Sequence, residues 1–276
     1  MRWRPDPRTS SLAGLLVALL TLVGSASTSP AAHAEGVISG YGRHLQFAGY
    51  DWRIKTSNIL VGPGPNYFSD SPDSVWTDGL GHLHLKVMPD SSGHWQAAEV
   101  VLQASLGYGT YHFYLDPISR PLDPSLVLGL FTWNDDPSEN HRELDIELAR
   151  WGQPNAPNGR YSVQPFEVPN HIFSFDESEP IAPATQMLVW QPGRVAFQGW
   201  TGWDQRPDSQ DAVIARHVFT DGIPQPGGEQ VRMNLWLDGG SPPTDGQTAE
   251  VVIGGFEFTP DPCPASCVVA ERETSD

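Results

Sequence analysis

The chain is organised around the stretch His141-Arg142-Glu143-Leu144-Asp145-Ile146-Glu147-Leu148-Ala149-Arg150-Trp151. Aliphatic and acidic residues alternate in it, and side chains on a β-strand point to opposite faces with a period of two. The stretch therefore predicts a strand with one apolar face and one face that carries Glu143, Asp145 and Glu147. Acidic residues are depleted in strands and neighbouring like charges repel, so the pattern works against stability. Such a conflict is typical of a functional site, although a solvent-facing acidic strand is the alternative.

Three carboxyl groups on one strand face could act together as catalytic groups. The Cα atoms of Glu143 and Glu147 would lie about 13 Å apart on a flat strand that rises ~3.3 Å per residue. Strand curvature and inward-leaning side chains could bring their carboxyl groups to roughly 5–6 Å, the separation used by retaining glycosidases. Asp145 between them would share a proton or a hydrogen bond, and crowding would push the pKa values of the group apart. The stretch thus predicts an acid and a nucleophile supplied by a single strand.

At these residues the sequence resembles glycoside hydrolase family 16, the family of lichenases, laminarinases and xyloglucan endotransglycosylases. The family signature is Glu-x-Asp-x-Glu with aliphatic residues at x. Further segments resemble family blocks in the family's order, over roughly residues 50 to 260: Ala98-Glu99-Val100 with Gly107-Tyr108-Gly109-Thr110-Tyr111, Gly129-Leu130-Phe131-Thr132-Trp133, Trp190-Gln191-Pro192-Gly193-Arg194-Val195 and Met233-Asn234-Leu235-Trp236. The resemblance implies that Glu143 is the nucleophile, Glu147 the general acid and later base, and Asp145 the residue that tunes the nucleophile.

The fold class follows from the many glycines and prolines that interrupt the chain. Its 27 glycines and 26 prolines divide it into short strand-like pieces, and the mature part shows no convincing long amphipathic helix. Many short strands predict an all-β sandwich or jelly roll. The resemblance narrows this to the concanavalin A-like β-sandwich (jelly roll), with a cleft on its concave face.

Five residues outside the trio are candidate substrate contacts: Trp133, Trp151, Asn234, Trp236 and Glu99. A flat indole stacks well on a sugar ring, and Trp151 faces the same side as the acids if the strand stays extended. The resemblance implies the other four, and Glu99 is equally compatible with a structural carboxylate. Relatives usually carry an arginine two residues after the counterpart of Glu99, where this chain has Val101. No cofactor and no metal is expected.

The first 34 residues have the parts of a secretory signal peptide. Three arginines precede an apolar run at residues 12–23, and Ala32-His33-Ala34 matches a small-residue cleavage site, which predicts export with cleavage before Glu35. The alternative is an uncleaved membrane anchor, for which the run is short against the about 20 residues of a spanning helix. The predicted organisation is a leader at 1–34, a glycoside hydrolase β-sandwich at 35–260 and a Pro- and Cys-containing tail at 261–276.

The net charge indicates which binding partners the protein can have, and the two cysteines indicate a disulfide. The formal net charge is −17, and removal of the leader, with three arginines and one aspartate, makes it −19. Such a surface disfavours nucleic acid and anionic membranes and is compatible with a neutral polysaccharide or oligosaccharide. Cys263 and Cys267 predict a small disulfide loop in the tail of an exported protein. A monomer is the default expectation.

Three functions are consistent with these features. The first is a secreted retaining endo-glycosidase that hydrolyses a β-linked polysaccharide. The second is a carbohydrate-binding protein on the same sandwich without turnover, because a fold does not determine a function. The third is a transglycosylase, in which an acceptor sugar replaces water.

Overall fold

The structure, a computed structural model, describes residues 39–261. The predicted leader lies outside these residues, and so do Cys263, Cys267 and almost all of the tail. The described residues form β-strands and short turns. None of the helices found in residues 39–261 has the length and apolar character that a bilayer span requires.

The described residues contain sixteen strands: β1 (Ser39–Phe47), β2 (Tyr50–Val61), β3 (Asn66–Phe68), β4 (Val75–Thr77), β5 (Leu83–Pro89), β6 (Trp95–Leu102), β7 (Gly109–Leu115), β8 (Leu126–Trp133), β9 (Leu144–Ala149), β10 (Gly159–Val163), β11 (Ile172–Phe175), β12 (Ala184–Gln191), β13 (Arg194–Thr201), β14 (Val213–Phe219), β15 (Gln230–Leu237) and β16 (Ala249–Pro260). Three short 3₁₀ segments lie between them: Ser138–Arg142, Gln210–Ala212 and Asp238–Gly240.

The strands form two layers. The first, which we call the cleft sheet, has the order β11-β10-β9-β8-β15-β6, with β2 pairing β6 and β1 pairing β2. The second, the back sheet, has the order β5-β16-β7-β12-β13-β14, with β4 beside β5. Both orders are antiparallel, and β5 also pairs with β6 to connect the layers. This arrangement confirms the predicted all-β sandwich.

Strand β9 divides its side chains between the core and the outer face of the cleft sheet. Leu144, Ile146 and Leu148 are at most 2% exposed and belong to the core cluster shared by the two sheets. Asp145 and Glu147 alternate with them and therefore face away from that core. The apolar face of β9 thus anchors the strand, and the acidic face is available for chemistry.

Candidate active site

A cavity of about 370 Å³ lies on the outer face of the cleft sheet. Five strands, namely β2, β6, β8, β9 and β15, contribute to it, together with the turns beside β2 and β9. Its lining is Lys55, Gly62, Pro63, Glu99, Gly129, Phe131, Trp133, Asp135, Glu143, Asp145, Glu147, Arg232, Asn234 and Trp236. The three acids and four of the five predicted contact residues therefore share one cavity, and Trp151 is not among its lining residues.

Asp145 is the most buried of the three acids, with 3% of its surface exposed. Its Oδ2 atom accepts hydrogen bonds from Ser162 Oγ at 2.8 Å and from Gln164 Nε2 at 3.0 Å. A further hydrogen bond joins it to Glu143. Burial raises the pKa of Asp145 to about 6, and the three hydrogen bonds oppose that rise. Asp145 is thus held by neutral donors in direct contact with a second carboxyl group.

The two glutamates hold protons more tightly than free glutamate does. Burial raises the pKa of Glu143, and the charges of Asp145 and Glu147 raise it further, while Arg232 opposes them. Burial and then the charge of Asp145 raise the pKa of Glu147, and Arg160 opposes them. Because like charges this close resist joint ionisation, the trio keeps at least one proton at neutral pH.

A row of side chains crosses the sheet beside Glu147. The register places Gly129 next to Glu147, Asn234 next to Gly129 and Glu99 next to Asn234. A Cβ at Gly129 would come within 2.5 Å of Asn234 Oδ1, so glycine keeps the cavity floor open at this point. Asn234 Oδ1 is buried and has no hydrogen-bond partner within residues 39–261. It is therefore an acceptor available to a ligand hydroxyl.

Glu99 is 1% exposed and is surrounded by donors. Lys55 Nζ lies 3.2 Å from its Oε2 atom, and Arg232 Nη1 lies 3.3 Å from its Oε1 atom. Asn234 Nδ2 donates to Oε2 at 3.3 Å. The structure therefore gives Glu99 the surroundings of a satisfied structural carboxylate, although it also lines the cavity.

Arg232 was not predicted, and it supplies the arginine that the sequence lacks at position 101. Its Cα pairs in register with that of Val101, so a neighbouring strand presents the guanidinium at the same place on the sheet. Its Nη2 atom also donates to Asp135 Oδ1 at 3.0 Å. A signal was present, because Arg232 stands two residues before Asn234 and shares its face by alternation.

The side chain of Trp133 lines the cavity, and contacts with its neighbours fix the orientation of its ring. His141 stacks on its ring with the centroids 4.0 Å apart and the planes 9° apart. Its Nε1 atom donates to Asp135 Oδ1 at 3.0 Å. The guanidinium carbon of Arg232 also lies 5.8 Å from the ring centroid. The parts of the ring that these three contacts leave uncovered are what Trp133 offers a ligand.

A left-handed turn brings the chain into Glu143. Glu139, Asn140, His141 and Arg142 all have φ between 50° and 61°, a conformation that costs roughly 1–2 kcal/mol for each L-residue. Hydrogen bonds from β8 and the residue after it hold the turn. Thr132 Oγ1 donates to the carbonyl of Arg142 at 2.7 Å, Asn134 N donates to the carbonyl of His141 at 2.7 Å, and His141 Nδ1 donates to the carbonyl of Asn134 at 2.8 Å.

Trp151 lies beyond the regular part of β9, on the same outer face of the cleft sheet as the acids. Strand β9 ends at Ala149 and Trp151 has a φ of 52°, yet its side chain packs against the outer-face cluster that contains Val127, Ala149 and Trp236. Its ring contacts Trp236 edge-on at 5.9 Å, and Arg160 lies 4.6 Å above it. Trp236, 9% exposed, lines the cavity, and Trp151 packs against it without being one of the lining residues.

The next feature is the distribution of possible metal ligands in the described residues. Within residues 39–261, no three His, Cys, Asp or Glu side chains are grouped so that they could hold a metal ion. At Gly254, near the position where the resemblance places an acidic calcium ligand in relatives, the ring of Trp203 packs on the backbone.

Comparisons with known proteins support the architecture. The sequence matches no family model and no curated protein. Among solved structures, it is similar to the β-glucanase of Bacillus licheniformis, with a TM-score of 0.56, 20% identity and coverage of 81% of this chain and 98% of that chain. It is also similar to SCLam, a non-specific endo-β-1,3(4)-glucanase from glycoside hydrolase family 16, with a TM-score of 0.54, 13% identity and coverage of 82% and 97%.

A third similar structure is described as an immunostimulatory antigen and pseudo β-1,3-glucanase of Mycobacterium tuberculosis. Its TM-score is 0.55 and its identity 17%, with coverage of 76% of this chain and 91% of that chain. The fold is therefore the jelly roll of the β-glucanases. At these identities the likeness concerns the fold, and the function depends on the residues that line the cavity.

Proposed function

We propose that this chain is a divergent member of glycoside hydrolase family 16, exported from the cell, and a retaining endo-glycosidase of a β-linked polysaccharide. One observation carries the proposal: three carboxyl groups with raised pKa values, supplied by one strand and its entry turn, line a single cavity. Groups with perturbed pKa values in a cavity are candidates for acid–base chemistry. The neighbouring fold relatives, which are β-glucanases, support the substrate class.

In the proposed reaction, the carboxylate of Glu143 attacks the anomeric carbon as the bond to the departing oxygen breaks. Glu147 donates its proton to that oxygen. Water then attacks the anomeric carbon while Glu147 takes a proton from it, and the bond between that carbon and Glu143 breaks, so that Glu143 leaves as a carboxylate. Asp145 accepts or shares the proton of Glu143, and the nearby positive charge of Arg232 favours ionisation of Glu143.

The experiment uses the mature protein and its Glu147→Gln variant. Both are assayed for release of reducing ends from a panel of purified β-glucans and β-galactans. We expect a loss of roughly 10²–10⁴-fold in the variant, since Gln cannot protonate the departing oxygen. Glu250→Gln is the matched control, because Glu250 lies on the back sheet beside His84. Absence of activity in the wild type on every polymer would refute hydrolysis.

Stereochemistry provides an independent measurement. A retaining enzyme releases product with the same anomeric configuration as the substrate, which NMR detects in the first minutes of reaction. An inverted product would contradict the assignment of Glu143 as nucleophile.

A binding protein without turnover is the second candidate, and one observation favours it: a fold relative is described as a pseudo β-1,3-glucanase. This alternative predicts that the wild type binds glycan without cleaving it and that Glu147→Gln binds equally well. The same panel therefore separates the two functions.

Export is a separate part of the proposal and has its own test. Expression of the full chain and of a chain starting at Glu35 should give extracellular protein only for the former. Mass spectrometry of the exported form should find Glu35 as its first residue. Retention of the full chain in the membrane fraction would instead indicate an anchor.

A further inference from the structure

The back sheet carries a second cavity, of about 340 Å³. Its lining residues are Tyr114, Trp203, Asp204, Gln205, Gly254 and Glu257. Strands β7 and β16 supply three of them, while the neighbouring residues of those strands, Phe113 and Phe256, are buried in the core. The cavity therefore lies on the outer face of the sandwich opposite to the acidic trio.

Trp203 is held firmly and yet remains 40% exposed. Its Nε1 atom donates to the carbonyl of Leu115 at 2.6 Å, and His82 meets its ring edge-on at 5.5 Å. A Cβ at Gly254 would come within 2.3 Å of its Cη2 atom, so the ring rests directly on the backbone of β16. Since the N–H is already bonded, the exposed part of Trp203 is apolar ring surface, which is normally buried.

The polar groups around this ring suit hydroxyl ligands. Tyr114 Oη donates to Glu257 Oε2 at 2.8 Å, and Gln205 Nε2 lies 3.3 Å from the same oxygen. Within the described residues, both of these hydrogen bonds go to Oε2 of Glu257. Its Oε1 atom can therefore accept a hydrogen bond from a ligand. None of the six lining residues is a lysine or arginine, and two are carboxylates, so an anionic ligand would be repelled.

We propose that this cavity is a second glycan-binding site, which takes an uncharged sugar unit stacked on Trp203 with its hydroxyls bonded to Glu257 and its neighbours. An apolar ring surface bordered by a few fixed polar groups is the usual composition of a small-ligand site. The ligand is a segment of the polysaccharide that the cleft sheet takes, and in this respect the inference rests on the proposed function. Two sites on one polymer raise the effective concentration of the chain at the cavity of the cleft sheet.

The test measures binding in the Glu147→Gln background, so that cleavage does not consume the polymer. Sedimentation of this variant with an insoluble β-glucan is compared with that of E147Q/W203A and of E147Q/V218A. Val218 is 44% exposed, lies on β14 at the edge of the back sheet and is not one of the cavity's lining residues, which makes it the surface control. We expect a roughly 10–100-fold weaker apparent affinity for W203A only, because avidity is lost. Equal binding by all three proteins would overturn the proposal.

Gly254→Ala provides a second test that leaves the tryptophan in the chain. The added methyl group would displace the indole and should weaken polymer binding as W203A does, with an unchanged circular dichroism spectrum. Hydrolysis of a short oligosaccharide by W203A, with Glu147 intact, should equal that of the wild type. Unchanged polymer binding by both variants would refute the second site even if the enzyme is active, and weakened binding in an inactive protein would refute only the proposed hydrolysis.

Discussion

Two nearly buried carboxylates on the cleft sheet, Glu99 and Asp145, have opposite surroundings. Glu99 lies between two cations and an amide, namely Lys55, Arg232 and Asn234. Asp145 receives hydrogen bonds from the neutral side chains of Ser162 and Gln164 and stands between two further carboxyl groups. The two residues face the same cavity, three strands apart.

The difference indicates that Glu99 has a structural role and Asp145 a role in proton transfer, although both line one cavity. A buried charge with charged partners, such as that of Glu99, is satisfied where it stands, and removing it leaves those partners uncompensated. A buried acid among other acids keeps its proton into the neutral range, at some expense of stability. The comparison predicts that removing a carboxylate should destabilise the protein at Glu99 and stabilise it in the acidic trio.

The largest effect is expected for Glu99→Gln. Lys55 would lose its carboxylate, and Arg232 would retain only the exposed Asp135. We expect a loss of about 3–5 kcal/mol in the free energy of unfolding, since breaking a buried ion pair leaves an uncompensated charge. Urea denaturation measures it, with Glu250→Gln on the surface as the control, for which a change within about ±0.5 kcal/mol is expected. Equal stability of the two variants would remove the distinction between Glu99 and the trio.

Replacing Glu147 by Gln should have the opposite sign and a dependence on pH. The folded chain holds the proton of Glu147 to a higher pH than the unfolded chain, in which glutamate has a pKa of about 4.3. The contribution of this group to stability is therefore complete below pH ~4 and falls as pH rises toward the folded-state pKa. Gln has no proton to lose, so the variant should gain about 1–2 kcal/mol over the wild type near pH 7 and nothing near pH 4.

Thermal unfolding at several pH values checks this prediction. A gain of 1 kcal/mol corresponds to about 2–4 °C in Tm for a domain of this size. Melting curves that differ by the same amount at every pH would show that Glu147 is not a proton-holding group.

Ser162→Ala should move the pH profile of activity by a smaller amount. Ser162 Oγ stabilises the ionised form of Asp145, so its loss raises the pKa of Asp145 above about 6. One neutral hydrogen bond is worth about 1 kcal/mol, which corresponds to an upward shift of somewhat less than one pH unit in the acidic limb of kcat/KM. Ser105→Ala is the control, because Ser105 Oγ donates to Glu229, outside the cavity lining. A shift in both variants would contradict the role given to Asp145.

The smallest effects distinguish the two neighbouring tryptophans. Trp236→Phe changes the cavity lining and should raise KM by about 3–10-fold, the equivalent of one aromatic contact. Trp151→Phe should leave KM unchanged and lower stability by about 1 kcal/mol, since Trp151 packs against Trp236 and is not part of the cavity lining. A raised KM for Trp151→Phe would instead show that Trp151 contacts the substrate.

Alternation predicted much of this site. Asp145, Glu147, Asn234 and Trp236 lie on regular strands, and Glu143 stands in extended conformation directly before β9, so a period of two suffices to place them. Arg232 could have been found by the same rule. The backbone at Trp151 could not be predicted, because no local pattern indicated its left-handed φ or the end of β9 at Ala149.

Contacts made by sheet pairing were beyond sequence reasoning. Lys55 reaches Glu99 across 44 residues of sequence, through the pairing of β2 with β6. The turn before Glu143 has no glycine at its four left-handed positions, so its conformation depends on tertiary hydrogen bonds. Neither the contact between Lys55 and Glu99 nor the conformation of this turn can be recognised from the residues next to it in the sequence.

The left-handed turn also determines when a growing chain can assemble the acidic trio. Asn134, which bonds to the turn, donates through its side chain to the carbonyl of Gly227, 93 residues later. Strand β8, which carries Thr132, pairs with β15, and β15 begins at Gln230. A ribosome-bound chain that has emerged only as far as β14 contains all three acids but lacks the segment that holds them in place. The acidic trio can therefore reach its final arrangement only in the last part of translation.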